Sequence, residues 1–174
     1  DTLTVTGNGV FNNATAETPG LRIQGSNSLV DRNVINANYG AGVMVVSASA
    51  TNRITRNAIF ANGTITNLGG TAGTGQIGID LLAAANSQTR GTTPYRSLND
   101  VGDTDAGGNA ITNFPILQTA ELNGGNLIVT GIARPGAVIE LFAALPDPSG
   151  FREGQTYLAT VVVLAVISRD AVTI

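Results

Sequence analysis

Asn57-Ala-Ile-Phe-Ala-Asn62 has two earlier counterparts, Asn33-Val-Ile-Asn-Ala-Asn38 and Asn8-Gly-Val-Phe-Asn-Asn13. The leading Asn thus stands at positions 8, 33 and 57, a nearly constant spacing of the length that marks stacked turns of chain. Three residues before each leading Asn stands a β-branched residue, Val5, Val30 or Ile54, which extends the match beyond the six-residue core. Each copy is a short apolar strand bounded by Asn, a residue that tolerates left-handed backbone at corners. One such turn cannot bury its apolar side, whereas stacked turns enclose a narrow core. Asn at matching corners (8, 33, 57 and 13, 38, 62) is expected to form side-chain amide ladders from turn to turn.

The repeat predicts an all-β fold that starts as a short right-handed parallel β-helix of about four coils over residues 1–82. Residues 1–19 make the first coil. The next three open at Gly20, at Gly42 and at Ile77-Gly-Ile-Asp-Leu81, with Gly next to an apolar strand each time. The Gly- and Thr-rich stretch 63–75 reads as an insertion projecting from one corner, either a disordered loop or a binding loop. Residues 83–113 form a polar, acidic connecting region. From residue 114 the pattern changes to Ile116-Leu117, Asn126-Leu-Ile-Val-Thr130 and Ala137-Val-Ile-Glu-Leu-Phe142, separated by Gly124-Gly125 and Arg134-Pro-Gly136. Breaks of that kind fit hairpins, so 114–174 is expected to be an antiparallel β-sandwich-like unit. Its last apolar segment, 157–167, needs cover on both faces.

Composition narrows the function. The 22 Gly and 12% charged residues favour turns and strands, and 43% hydrophobic residues supply a core. Cys and His are both absent and all nine basic residues are Arg. That excludes disulfide scaffolds, Cys-ligated zinc, and Ser-His-Asp or Cys-His catalysis. A net charge of −3 with no Arg cluster argues against a nucleic-acid partner. The most apolar run, 158–167, is too short for a helix spanning a bilayer. Asp1 enters an alternating strand directly, with no signal peptide before it, as in a segment cut or processed from a longer chain.

Ile77-Gly-Ile-Asp-Leu81, then Asn99-Asp-Val-Gly-Asp-Thr-Asp-Ala-Gly-Gly-Asn109, then Asn113-Phe-Pro-Ile-Leu117 occur in that order. The series resembles the end of the β-helix region in large secreted, adhesin-like bacterial surface proteins, where a right-handed β-helix gives way to an immunoglobulin-like β-sandwich. The resemblance implies a secreted, extracellular or cell-surface location and a structural, non-enzymatic role. It implies self-association or neighbouring modules of the same protein as partners. A full sandwich needs more strands than this, so either the module is a truncated stalk or spacer piece of a longer chain, or Val161-Val-Val-Leu-Ala-Val-Ile167 is an orphan strand that complements a neighbour and builds a filament.

The densest chemical signal is Asn99, Asp100, Asp103, Asp105 and Asn109, interleaved with Gly102, Gly107 and Gly108. Oxygen-bearing side chains on a Gly-rich loop are what Ca²⁺ takes, at six to eight oxygens, although no Glu closes the loop as in an EF-hand. A solvated acidic turn is the plainer reading of the same residues. For catalysis, only Asp31 and Asp80 on the coils are candidate paired carboxylates, while Arg32 and Arg56 are expected to stack on an outer face. Thr4, Thr6, Thr55 and Thr64 miss the coil period, which removes an ice-binding ladder. Tyr39, Tyr95 and Tyr157 are a scattered set for sugar stacking, and glycosylation sequons fall at Asn13 and Asn62. A calcium-dependent carbohydrate-binding or polysaccharide-processing module is therefore the alternative function.

Overall fold

The computed structural model describes residues 4–6, 17–66, 72–147, 150–151 and 153–163. Among them the fold is all-β. Eight strands of three residues come first: β1 (Thr4–Thr6), β2 (Leu21–Ile23), β3 (Leu29–Asp31), β4 (Val34–Asn36), β5 (Val43–Val45), β6 (Arg53–Thr55), β7 (Ala58–Phe60) and β8 (Ile79–Leu81). They visit three parallel sheets in rotation: β1-β4-β7, β2-β5-β8 and β3-β6. Leu29 pairs with Arg53 and Val34 with Ala58, both at the spacing that separates Asn33 from Asn57. Val43 pairs with Ile79, a longer step along the chain, because the stretch 63–75 intervenes. The described ends of that stretch fold back on the stack: Gly63 N–H donates to the Asn38 carbonyl, Gly75 N–H to Gly63, and the Thr74 hydroxyl to Tyr39. Its residues 67–71 lie outside the described ones.

Strands this short follow from the corners that bound them. Asn27, Arg32 and Ala37 have φ of 60°, 55° and 50°, and their counterparts one repeat later, Thr51, Arg56 and Ala61, have 57°, 52° and 56°. The left-handed position is thus the residue before the ladder residue, and the expectation that the bounding Asn itself turns the corner is corrected. A left-handed non-Gly residue costs about 1–2 kcal/mol. Here the next residue offsets that cost by bonding the neighbouring rung, through an inward side-chain amide at Asn33, Asn38, Asn52, Asn57 and Asn62 and through its backbone N–H at Ser28. A second correction concerns the first coil. Val5 pairs with Ile35 and so belongs to the column of Ile35 and Ile59 rather than that of Val30 and Ile54. The copy at 8–13 lies outside the described residues.

The inward residues of successive rungs form one core: Ile23, Val30, Ile35, Val43, Val45 and Ile59 are buried, with Leu21, Ile54 and Leu81 packed on it. Gly42 is required by close approach, since a Cβ there would lie 2.7 Å from the Gly78 carbonyl oxygen and 2.8 Å from Ile59 Cγ2. The stacking does not stop at residue 82. Leu82 N–H donates to Val45, Gly108 N–H to Leu82, and Asn109 N–H to Ser49, so the chain returns to the stack after an excursion. Gln88 ties that excursion down, accepting from Ser47 N–H and donating to Ala83 and Asn86.

Two antiparallel hairpins follow. β9 (Ile116–Asn123) pairs with β10 (Asn126–Ile132) around Gly124 and Gly125, whose φ of 57° and 84° suit a two-residue turn. β11 (Val138–Ala143) pairs with β12 (Thr156–Val162). Val129 and Leu141, one from each hairpin, are buried. Val161 and Val162 pair with Ile139 and Val138, so the start of the expected orphan strand is already occupied inside the chain, while 164–167 lie outside the described residues. The expected cover of both faces of 157–167 is incomplete among the described residues: Leu158 is 50% exposed and Val162 53%, while Val163 is buried.

Candidate functional site

Three columns of inward amides run along the stack. Asn57 Oδ1 accepts from Asn33 N–H (2.8 Å) and Asn33 Nδ2 (2.9 Å), while Asn57 Nδ2 donates to the Val30 and Thr55 carbonyls. Asn62 Oδ1 accepts from Asn38 N–H and Nδ2 at 3.2 and 2.7 Å. Asn52 Oδ1 accepts from Ser28 N–H at 2.9 Å. Each rung therefore presents a side-chain oxygen to a backbone N–H of the rung before it. These bonds satisfy buried polar groups that would otherwise destabilise the core.

At the last rung the same bonds are completed by residues from outside the repeat. Asn109 Oδ1 accepts from Asn52 N–H at 3.0 Å, and Asn109 Nδ2 returns a bond to the Asn52 carbonyl at 2.8 Å. Glu140 of β11 accepts from Arg56 N–H (2.7 Å) and from the Thr55 hydroxyl. Glu153 accepts from Asn62 N–H at 2.9 Å and from Asn62 Nδ2 at 3.2 Å. Beside it the Gly154 carbonyl accepts from Ile59 N–H at 2.8 Å, along the outer edge of β7. The β11–β12 hairpin thus closes one end of the stack, leaving a cavity of about 310 Å³ walled by Ile54, Ile59, Ile79, Phe142, Glu140 and Glu153. Sequence reasoning found the two Asn columns but missed the third and missed this closure. Ser28 and Asn52 repeat in step with Asn33 and Asn57, standing five residues before them, a signal that was readable. Glu140 and Glu153 belong to no repeat and left none.

Glu153 is 6% exposed and Asp80 3%. Burial pushes both carboxyls up to about 7, against the hydrogen bonds from Asn62 in the case of Glu153. Asp80 Oδ2 has no hydrogen-bond partner among the described residues and lies where a Cβ on Gly91 would fall. Asp31 binds Arg32 and Arg56 through one oxygen at 2.9 and 2.8 Å, which places those two Arg one above the other around a shared acid. Asp31 is on the β3-β6 sheet and Asp80 on the β2-β5-β8 sheet.

The five residues of the acidic turn divide. Asn99 pairs both ways with the Phe114 backbone. Asp100 accepts from the Thr104 hydroxyl and N–H, which hold its carboxyl below the usual range. Asp103 accepts from Asn113 N–H and forms an ion pair with Arg134. Those three fasten the turn to the 113–114 segment and to Arg134. Asn109 is committed to Asn52, and Asp105 is exposed with no bond among the described residues. Among the described residues no group of three or more acidic side chains forms a metal-holding cluster.

The three Tyr residues have separate surroundings. Tyr39 is buried, the Tyr95 hydroxyl bonds Glu17, and Tyr157 packs edge-on against Phe142 at 5.7 Å. Asn62, one of the sequon residues, is 1% exposed with its Nδ2 bonded to the Ile35 and Phe60 carbonyls, and Asn13 lies outside the described residues. No helix among the described residues is long and apolar enough to cross a membrane. No protein-family model, curated protein or solved structure matches this chain.

Proposed function

We propose that the chain is a non-enzymatic structural segment of a secreted or cell-surface protein: a short right-handed parallel β-helix over residues 1–82, closed through the 83–113 connection by an antiparallel, sandwich-like unit over 114–174. One observation carries the reading. The polar side chains aimed into the stack are nearly all engaged in rung-to-rung bonds, at Asn33, Asn57, Asn38, Asn62, Asn52 and Asn109. A catalytic or sugar-binding groove instead needs acids and aromatics that converge and face outward. Here Asp31 serves two Arg, the Tyr residues stand apart, and the two acids that do share a cavity, Glu140 and Glu153, accept from the Thr55, Arg56 and Asn62 groups of the last rung.

Closure of β7 by the hairpin favours a spacer over an end-to-end filament, since that edge is filled from within the chain. Sedimentation velocity of the 174-residue chain with calcium and then with chelator tests this. A particle of one size in both conditions is expected, and species that grow with concentration would mean a polymerising subunit. Calorimetric titration with calcium and polygalacturonate separates the carbohydrate alternative. Binding heat lost on Asp103→Ala would replace the structural reading with a calcium-dependent sugar module.

A further inference from the structure

We propose that Glu153 is a pH-operated latch: protonated, it fastens the 153–154 segment across the outer edge of β7, and ionised, it lets that edge go. The inference rests on the geometry of the junction and stands independently of the function proposed above. Glu153 and Glu140 are the two acidic side chains holding the β11–β12 hairpin on the last rung, and Glu153 is the deeper one. Its only donors among the described residues are the backbone and side-chain N–H groups of Asn62. Burial at 6% exposure disfavours the ionised carboxyl more strongly than these two bonds favour it.

Among the described residues, the charged groups around it do not supply the missing balance. Asp147 acts on Glu153 with a like charge. Glu140 and Arg56 line the same cavity, but Glu140 is acidic and Arg56 Nη2 is bonded to Asp31 at 2.8 Å. Arg96 stacks on the Phe151 ring at 4.4 Å. The latched carboxyl titrates at about 7 and a released one near the ordinary 4.5. Latching is therefore full below about pH 4.5, weakens as pH climbs through about 7, and levels off above it. Release frees the Ile59 and Asn62 N–H groups together, because the Gly154 carbonyl leaves with Glu153.

Hydrogen exchange by NMR tests the latch. Protection factors of the Ile59 and Asn62 amides, corrected for intrinsic rates and normalised to Val43 in β5, are expected to fall at least about tenfold between pH 5 and pH 8 in the wild type. In Glu153→Gln, which keeps an accepting oxygen and cannot ionise, they are expected to stay level. A level wild-type profile, or the same fall in E153Q, overturns the proposal. If E153Q does not fold, a carbon-13 titration of the Glu153 carboxyl in the wild type decides alone. A midpoint near 7 supports the latch, and one in the ordinary glutamate range overturns it.

Discussion

Asn57 shows what a single side chain does in this protein. Its amide bonds Asn33 twice and the Val30 and Thr55 carbonyls once each, all from a buried position. Asn57→Ala leaves the Asn33 N–H and the Val30 carbonyl without those partners, and such groups cost about 1–3 kcal/mol each. A loss of about 2–4 kcal/mol in urea unfolding is expected, against a small change for Ala at the exposed Asp105. Asp80 makes the opposite case, a buried acid with an unbonded oxygen. Its folded-state pKa of about 7 lies above the ordinary 3.8, so its contribution is complete at low pH and is lost as pH rises through 7. Thermal unfolding at pH 4, 6 and 8 should show falling stability, and Asp80→Asn should flatten the slope. The Asn columns were legible because identical residues recur at a nearly constant spacing along the chain. The left-handed corners were not, since Arg32, Ala37, Arg56 and Ala61 carry no propensity for that conformation and are held there by the rungs on either side.

Among the elements, three-residue strands have no stability alone and owe their form to the neighbours above and below. Gly42→Ala puts a methyl against the Gly78 backbone, which cannot yield as a side-chain tip can. It should cost at least about 1–3 kcal/mol, while Ala at Gly75, open but at φ of 70°, tests the backbone effect by itself. The apolar strands 43–45 and 79–81 were readable from their composition and the Gly beside them. The register of β1 was not, because Leu3-Thr-Val-Thr6 offers an alternation that fits Ile35 as well as Val30. Hairpin β9–β10 was marked by Gly124-Gly125, yet nothing in its alternation foretold that all of β9 would be exposed.

Across the whole molecule, identifiable contacts among the described residues join the two parts. Asp103 and Arg134 link the connecting turn to the antiparallel unit, and Glu140 and Glu153 link that unit to the stack. Asp103→Ala removes the ion pair and the acceptor for Asn113 N–H, and a loss of about 1–2 kcal/mol is expected with or without calcium. Exchange should be uneven: amides of β5, buried along its whole length, slowest, and those of β9 fast. The change from parallel to antiparallel pairing was legible in the loss of the Asn repeat and in the Gly124-Gly125 break. The docking of one part on the other depends on shape and on two acids with no periodic counterpart, which a repeat-based reading does not see.

The rotation through three sheets also sets how the chain answers to tension. Parallel neighbours lie about 4.8 Å apart, so a full rung, from Val34 to Ala58, adds only that much to the length of the stack. Drawn out straight, the same segment reaches roughly 80 Å. A pull along the axis meets the inter-rung bonds end-on and peels them a rung at a time from the weaker end. Each peeled rung lengthens the chain many-fold before the next gives way, so a stack of this kind unwinds under load as a spool does.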